Sequence, residues 1–436
     1  MTGHIDNSLI ELPYGTRTLQ ATVPTNRVCF TGEFEEMRAI DDFVQTLRWR
    51  LERPTAGPAL SEIAKGRNKA LVLVDDNTRP TPVHKILPEL FDCLNAAGLP
   101  DSRIEILIAG GTHRLMTDAE LLRKVGEKVA RRVRISQHDF RDQDAMVRLE
   151  PISVGGRLVP IEINRKVLEA DLVVGLGSIF PHSDAGFTGG AKIVQPGVCG
   201  PTTTAGTHIA AALLDDIPLG VPENPCRLGM ERVARAVGLD FIINVVQSPG
   251  GVVFDIVSGD VVQAHRSGVE ISRRAHGVHV PKAVDVVIVS SSPEDIDWWQ
   301  AEKALVAAYF AVRPGGIIVL AAECREGLVH NHPQLAHWAA MEFTEACERA
   351  RRTDLSDMGA DLIAADVAIA NARIREKASI IIVTDGLSNH DCSVLGYERM
   401  PDLQRAVDVA LDRIPQGTIG ILPYGGVCLP ILAGAM

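Results

Sequence analysis

Aromatic residues are scarce in this chain of 436 residues, making up 4% of it, and positive charge is in deficit. Forty-four lysines and arginines face 55 aspartates and glutamates, which leaves a formal net charge of −11. A general nucleic-acid binder would carry a basic stripe, and a protein held by anionic lipid would carry basic clusters. We therefore expect neither nucleic acid nor a membrane among the partners.

Long apolar runs and paired cysteine motifs are also missing. No stretch of about 18 apolar residues occurs, so the sequence predicts no transmembrane helix. The N-terminal residues lack a cationic start followed by an apolar run, and we expect no signal peptide. The eight cysteines show neither Cys-X-X-Cys spacing nor a dense framework, which favours a reduced, cytoplasmic setting.

Aliphatic residues and glycine make up much of what is present. Apolar residues account for 46% of the chain and charged residues for 23%, which is typical of a soluble globular protein. Aliphatic strands and alanine-rich helices favour the α/β class. The length suggests two or three domains, at roughly 100–200 residues per domain.

Two series of aliphatic strands follow one another along the chain. The first comprises Ala70–Val74, Ile104–Ala109, Leu172–Leu176 and an antiparallel pair, Phe241–Gln247 with Val252–Val257. The second comprises Val284–Ser290, Gly316–Ala321, Ser379–Thr384 and Thr418–Leu422. Helices are predicted between strands, including Asp118–Arg131, Trp298–Val312 and Asp357–Asn371.

The change of character near residue 275 predicts two α/β domains with a cofactor and substrate cleft between them. Residues 1–274 form the predicted N-terminal, cofactor-binding domain, which residues 424–436 rejoin. Residues 275–423 form the predicted C-terminal domain, which contributes substrate-binding residues.

Three polar segments follow strands of the first series. They are DDNTRPTP (75–82), GGTHR (110–114) and the loop that begins PHSD (181–184). Ligands of α/β sheets bind outside the carboxyl ends of the strands. If the sheet is parallel, all three segments converge on one site.

The loop from Pro181 to His208 carries the most chemistry. His182 is followed ten positions later by Lys192, and His208 lies sixteen further on. Glycine-rich turns let backbone N–H groups approach a phosphate, and an adjacent lysine adds charge or forms a covalent bond. An ordinary polar surface loop is the alternative.

Other candidates stand at strand ends and on one helix. Pro80 and Pro82 restrict the backbone around Arg79, whose guanidinium could hold a carboxylate. His113 could serve as a base near neutral pH. Gln300 and Lys303, three positions apart, share a helix face that could meet an acidic substrate. Each of these side chains could equally be a cap or a solvated surface group.

Two histidine pairs, His276 with His279 and His330 with His332, look like metal ligands at first sight. Neither pair has further ligands at a suitable spacing. We expect these histidines to be solvated.

Together the motifs resemble the nickel-dependent lactate racemase family. They are DDNTRPTP (75–82), GGTHR (110–114), PHSDAGFTGGAKIVQPG (181–197), GTH (206–208) and WQAEK (299–303), in that order. The resemblance covers both predicted domains. It implies an isomerase, a 2-hydroxy acid racemase or epimerase, that abstracts and returns hydride through a nickel-pincer nucleotide.

The resemblance also implies a role for each matching residue. His113 and His182 match the acid/base histidines, Lys192 the lysine that tethers the cofactor, and His208 the nickel ligand. The substrate is held by Arg79, Gln300 and Lys303, with Trp299 beside them where lactate racemase has tyrosine. The cofactor surroundings include Asp76, Thr78, Gly189 and Gly190. The cofactor-synthesis enzymes are implied partners.

The substrate itself is open, because family members act on varied 2-hydroxy acids. Asn389, His390 and Asp391 follow a strand of the second series and could line the pocket, which would favour a polyhydroxylated or dicarboxylic substrate.

Three other functions compete with the racemase. An NAD-binding oxidoreductase or NAD-dependent epimerase would keep the fold, although no Gly-X-Gly-X-X-Gly follows the first strand of either domain. A zinc hydrolase would use His113, His182 and His208 as ligands. A non-catalytic protein would bind the cofactor or the hydroxy acid without turnover.

Overall fold

The computed structural model describes residues 6–434. Its strands are β1 (Asn7–Tyr14), β2 (Arg17–Pro24), β3 (Val28–Thr31), β4 (Ala70–Val74), β5 (Ile104–Ile108), β6 (Arg134–Gln137), β7 (Met146–Val154), β8 (Arg157–Asn164), β9 (Leu172–Ser178), β10 (Pro181–His182), β11 (Gly186–Phe187), β12 (Phe241–Gln247), β13 (Val253–Gly259), β14 (Gly277–Val280), β15 (Val284–Ser290), β16 (Val312–Ala321), β17 (Ala378–Val383), β18 (Glu398–Met400), β19 (Ile419–Leu422) and β20 (Leu429–Leu432). Its helices are α1 (Phe43–Glu52), α2 (Leu60–Ala64), α3 (Val83–Ala96), α4 (Asp118–Val125), α5 (Glu127–Ala130), α6 (Arg165–Glu169), α7 (Pro201–Ala212), α8 (Pro225–Val237), α9 (Gln263–His276), α10 (Trp298–Ala311), α11 (Leu335–Ala339), α12 (Phe343–Arg352), α13 (Leu362–Lys377), α14 (Asn389–Leu395) and α15 (Leu403–Arg413).

Two six-stranded sheets organise these elements, which confirms the α/β class. The first has the strand order β13-β12-β9-β4-β5-β6, and it is parallel except for the edge strand β13. The predicted antiparallel pair is therefore present. The second has the order β18-β17-β16-β15-β19-β3 and is parallel throughout.

Both faces of the first sheet are covered, as the unbroken aliphatic sequence of β4 requires. Val72 and Val74 point into one core with α1, α2 and α3, whereas Leu71 and Leu73 point into another with α8. Among the described residues, no helix is both long and apolar enough to cross a membrane.

Strands β1 to β3 pack on the second sheet or extend it, although they precede the first sheet in sequence. The β1–β2 hairpin buries Leu12 and Tyr14 against Val286 and Ile288 of β15. The edge strand β3 pairs with β19. The domain division near residue 275 stays a prediction.

Two helix predictions are wrong in extent. The predicted helix Asp118–Arg131 is two helices, because Gly126 has a φ of +84° and ends α4. The other predicted helix, Asp357–Asn371, begins instead at Leu362, because the Asp361 carboxylate caps the first turn there by accepting from Ala364 N. This helix continues to Lys377.

A buried arginine fixes the loop that follows β9. Arg227 on α8 is fully buried, and its guanidinium donates to the carbonyl oxygens of Ala185 at 3.2 Å and Gly189 at 3.0 Å. The same group also donates to Phe187 O. These contacts set the course of the chain between His182 and Lys192.

We expect Arg227→Met to destabilise the protein by about 3 kcal/mol, because it leaves buried carbonyl oxygens without their charged donor. Urea denaturation followed by circular dichroism measures the free energy of unfolding. Arg235→Met, an exposed position on the same helix, is the control and should change that free energy by less than about 0.5 kcal/mol. Equal losses of unfolding free energy in the two variants would contradict the role of Arg227 in fixing the loop.

Candidate active site

A cleft of about 1040 Å³, part of it open to solvent, lies between the strand ends of the first sheet and two helices that pack on the second. The segments after β4, β5 and β9 line one side, and α10 with α13 line the other, so the predicted convergence of strand ends is confirmed. The predicted site residues that line the cleft are Asp76, Thr78, Arg79, His113, His182, Gly189, Lys192, His208, Trp299, Gln300 and Lys303.

Two cations, one from each side of the cleft, share a carboxylate that the sequence analysis missed. Arg79 Nη1 lies 3.0 Å from Glu294 Oε2, and Lys303 Nζ donates to the same oxygen. Glu294 is only 6% exposed. Burial alone would raise its pKa, but Lys303 and Arg79 outweigh burial and lower the pKa of Glu294.

The amide of Gln300 links these charges to His113. Gln300 Oε1 accepts from Arg79 Nη1 at 3.2 Å and from Lys303 Nζ. Its amide nitrogen therefore faces the other way and lies 3.2 Å from His113 Nε2. An amide nitrogen can only donate, so the ring nitrogen that it meets carries a lone pair.

Asp76 fixes the other end of the same ring. His113 Nδ1 lies 2.6 Å from Asp76 Oδ2, and Thr78 Oγ1 donates to Asp76 Oδ1 at 2.5 Å. Burial works against the charged form of Asp76, but His113 and Arg79 more than offset it, and the net pKa is lowered. His113 is thus assigned a proton on Nδ1 and a lone pair on Nε2, which accepts from the Gln300 amide.

His182 has the opposite tautomer. The backbone N–H of Asp184 donates to His182 Nδ1 over 3.1 Å, which leaves the proton of the neutral ring on Nε2. Burial, together with the charges of Lys192 and Lys303, lowers the pKa of His182 well below its usual value. In this arrangement one imidazole offers an acceptor and the other a donor.

The Lys192 amine is also shifted towards its neutral form. Burial and then Arg79 are the main causes that lower the pKa of Lys192, to about 7, despite the opposing charge of Asp184. A neutral amine is a nucleophile, whereas an ammonium ion is not.

His208 has the geometry of a metal ligand. It lies on α7, and its Nδ1 donates to Thr204 O over 2.8 Å. The lone pair is therefore on Nε2, and a backbone carbonyl oxygen fixes the orientation of the ring, as is usual for metal-bound histidine. Burial lowers the pKa of His208, which keeps that lone pair free.

The two glycines differ in position. Gly189 lines the cleft, and its φ is +76°. Gly190 does not line it, since a Cβ there would lie 2.8 Å from the His265 ring. Close packing against the His265 ring, rather than a bound cofactor, explains why position 190 is glycine.

Three further carboxyl groups that the sequence analysis missed line the cleft: Asp184, Glu302 and Asp366. Glu302 and Asp366 are both buried. Asp366 lies in an otherwise apolar stretch of α13, whereas Glu302 has polar neighbours, Gln300 and Lys303, on α10. A single acidic residue in an alanine-rich stretch was the sequence signal that could have identified Asp366.

Two predictions about histidines and the far side of the cleft are wrong. His276 and His332 are buried rather than solvated: His276 Nε2 lies 2.9 Å from Gln247 O, and His332 lies 4.5 Å from the Trp299 ring, stacked on it. His279 and His330 are exposed, as expected. The segment Asn389–Asp391 does not line the cleft, because it forms the first turn of α14 on the surface.

The three-histidine zinc site is not formed. Within residues 6–434, the set of side chains whose ligand atoms come within 4.8 Å of one another is Asp184, His208 and Asp366. His113 and His182 do not belong to it.

Comparisons with known proteins agree along the whole chain. Family models described as the lactate racemase N-terminal and C-terminal domains match residues 14–216 and 280–428. The lactate racemase of Thermoanaerobacterium thermosaccharolyticum is 29% identical over 432 residues, which covers 95% of this chain and 97% of that protein. The lactate racemase of Lactiplantibacillus plantarum is 31% identical over 328 residues, which covers 73% and 75%.

Solved structures agree with the sequence comparisons. The lactate racemase apoprotein from Thermoanaerobacterium thermosaccharolyticum superposes with a TM-score of 0.85 at 28% identity, covering 97% of this chain and all of that one. A Thermotoga maritima protein shares the fold, with a TM-score of 0.69 at 21% identity over 91% of this chain.

We expect acetylation of Lys192 by a small activated ester to rise steeply with pH and level off above a midpoint of about 7, because the neutral amine is the reactive form. An ordinary lysine amine has a pKa of about 10.4, so the lysine of a short unstructured peptide added to the same reaction should still be gaining label at about pH 9. Peptide mass spectrometry measures both sites in one sample. Parallel pH profiles for the two lysines would contradict the lowered pKa of Lys192.

Proposed function

The chain belongs to the lactate racemase family, and on that premise we propose that it inverts the C2 configuration of a 2-hydroxy acid with a nickel-pincer nucleotide. The observation that carries this proposal is the meeting, in one cleft, of a buried lysine, an oriented histidine ligand and two histidines of opposite tautomer.

The residues present suit the nickel-pincer nucleotide. The Lys192 amine is positioned to form the thioamide tether, and His208 Nε2 is the available metal ligand. When bound, this cofactor supplies an electrophilic carbon beside nickel that takes up a hydride and returns it. The resemblance places Asp76 and Thr78 around the cofactor. In the structure Thr78 donates to Asp76, and Asp76 in turn contacts His113.

The substrate carboxylate is held at the free edge of Arg79. All protein hydrogen bonds of the Arg79 guanidinium within the described chain are made by Nη1, to Thr78, Glu294 and Gln300. Nε and Nη2 are left to bind a carboxylate through two parallel bonds. Lys303, which Glu294 keeps beside Arg79, completes the site.

The histidines supply and remove the proton on the hydroxyl oxygen. They follow β5 and β9, the two neighbours of β4, so they flank the strand whose end carries Arg79. Two strand spacings amount to about 10 Å, which is wide enough for a small hydroxy acid. The substrate hydroxyl takes the place of the Gln300 amide at His113 Nε2, which then accepts the hydroxyl proton of one enantiomer. The positive charge so formed is stabilised by Asp76.

His182 acts on the other enantiomer and must be able to hold a second proton. As a thioamide Lys192 would carry no charge, and the substrate carboxylate would offset Arg79 and Lys303, so the charges that lower the pKa of His182 would be reduced. Asp184 Oδ2, 3.6 Å from His182 Nδ1, is the acceptor for the added proton. Ligand binding thus prepares His182 to donate.

An NAD-dependent enzyme or a non-catalytic binding protein would use this cleft differently. Neither needs a nucleophilic lysine, and NAD needs no metal ligand at His208. Both alternatives are outcomes of the experiment that follows.

We expect protein co-expressed with the cofactor-synthesis enzymes to carry about one equivalent of nickel and a covalent adduct on Lys192, and to invert chiral 2-hydroxy acids. Metal analysis, intact mass and chiral chromatography measure the three properties. Nickel-free protein with bound NAD would favour the NAD-dependent enzyme. Protein that carries nickel and the adduct but inverts none of the acids tested would favour the non-catalytic binding protein.

Variants separate the roles within the same preparation. His208→Ala should lose nickel and keep the adduct, whereas Lys192→Ala should lose the adduct. His113→Ala should keep both and lose inversion. Loss of nickel in His113→Ala would overturn its role as a base.

We expect Asp76→Asn to lower kcat by a factor of about 10² to 10⁴ with little change in KM, because the amide no longer holds the His113 proton on Nδ1. Steady-state kinetics of enzyme with matched nickel content measures the effect. A kcat within about threefold of the native value would show that Asp76 does not orient the base.

A further inference from the structure

Three carboxyl groups, Asp184, Glu302 and Asp366, line the cleft, and two of them have a buried oxygen without a hydrogen-bond partner in the described part of the chain. Glu302 is 4% exposed and Asp366 2% exposed. Within residues 6–434, neither Glu302 Oε1 nor Asp366 Oδ2 has a hydrogen-bond partner, although both side chains line the cleft. Asp184 is close enough to influence the ionisation of both.

These groups lie beside the reacting centre. The ligand atoms of Asp366 and Asp184 come within 4.8 Å of His208 and of each other. Glu302 is next to Lys303 on α10. The other residues of α13 that line the cleft are apolar: Ile363, Val367 and Ala370. A small polar patch is therefore set in an apolar wall.

A buried carboxyl oxygen without a partner is unfavourable, and proteins avoid it unless a ligand completes the bond. A methyl group at this patch would leave both oxygens unpartnered. A further cation would meet the positive charges of Arg79 and Lys303, which line the same cleft.

The neutral carboxyl group suits a hydroxyl group, because each both donates and accepts a hydrogen bond. Burial, and then the charge of Asp184, raise the pKa of Glu302 to about 8, so the neutral form is available at neutral pH.

We propose that Asp184, Glu302 and Asp366 form a hydroxyl-binding subsite that receives the chain of a polyhydroxylated 2-hydroxy acid beyond its C2 atom. The proposal rests on the function proposed above and names its substrate class. It distinguishes such a substrate from lactate, whose C3 is a methyl group.

The cofactor ribose is another source of neighbouring hydroxyl groups, and the experiment separates the two sources. If the subsite served the ribose, its loss would reduce nickel content and the Lys192 adduct. If it serves the substrate, its loss changes substrate preference while nickel and adduct stay intact.

The sharpest comparison uses lactate and glycerate, which differ by one hydroxyl group on C3, with 2,3,4-trihydroxybutanoate as a longer homologue. We expect holoenzyme to show kcat/KM values for the hydroxylated acids at least about 100-fold above that for lactate. A second readout is heat stability, which hydroxypyruvate should raise more than pyruvate does.

Variants at Asp366 test the source of the preference. Asp366→Leu should reduce the ratio of glycerate to lactate at least about tenfold, whereas Asp366→Asn, which keeps a donor and an acceptor, should retain most of it. Glu376→Gln, an exposed position on the same helix, should change nothing.

Each failure has its own meaning. A holoenzyme that prefers lactate, with Asp366→Leu unchanged in its preference, would overturn the subsite but leave the racemase intact. Holoenzyme that inverts none of the acids would instead count against the proposed function. Loss of cofactor from both Asp366 variants would assign the patch to the ribose and overturn the substrate proposal.

Discussion

Two positive charges, Arg79 from one side of the cleft and Lys303 from the other, lie together in an interior with little water, and one buried carboxylate holds them there. Without Glu294 they would repel each other across the boundary between the sheets. With it, the amide of Gln300 can take only one orientation. That orientation in turn decides which nitrogen of His113 carries the lone pair.

The site therefore depends on contacts between distant parts of the chain. The aliphatic core of β4 was predictable, because both of its faces are buried and its sequence is continuously apolar. The convergence of three strand ends followed from the rules for parallel sheets. Most of the predicted site residues lie in compact motifs and line one cleft.

What the sequence could not provide was the charge balance. Glu294 is unremarkable in its own segment, and its partner Arg79 comes from the other sheet. The tautomers of His113 and His182 depend on hydrogen bonds that no local pattern encodes. His332 looked like a surface residue until its stacking on Trp299, and its bond of 3.0 Å to Thr112, placed it between the two sheets. Burial and hydrogen-bond partners are set by the tertiary structure, and they account for most of the differences between the predictions and the structure.

The pairing of β3 with β19 also affects how the protein can be made. The strand that completes the edge of the second sheet is synthesised near the start of the chain, and its partner near the end. The β1–β2 hairpin, with Leu12 and Tyr14 on its apolar face, leaves the ribosome long before β15 exists to cover them. Pairings of such sequence separation form late and leave apolar surface exposed in the meantime. All strands of the first sheet precede β19 in the chain, so that sheet can pair before the second sheet completes its edge, and the cleft between them forms late.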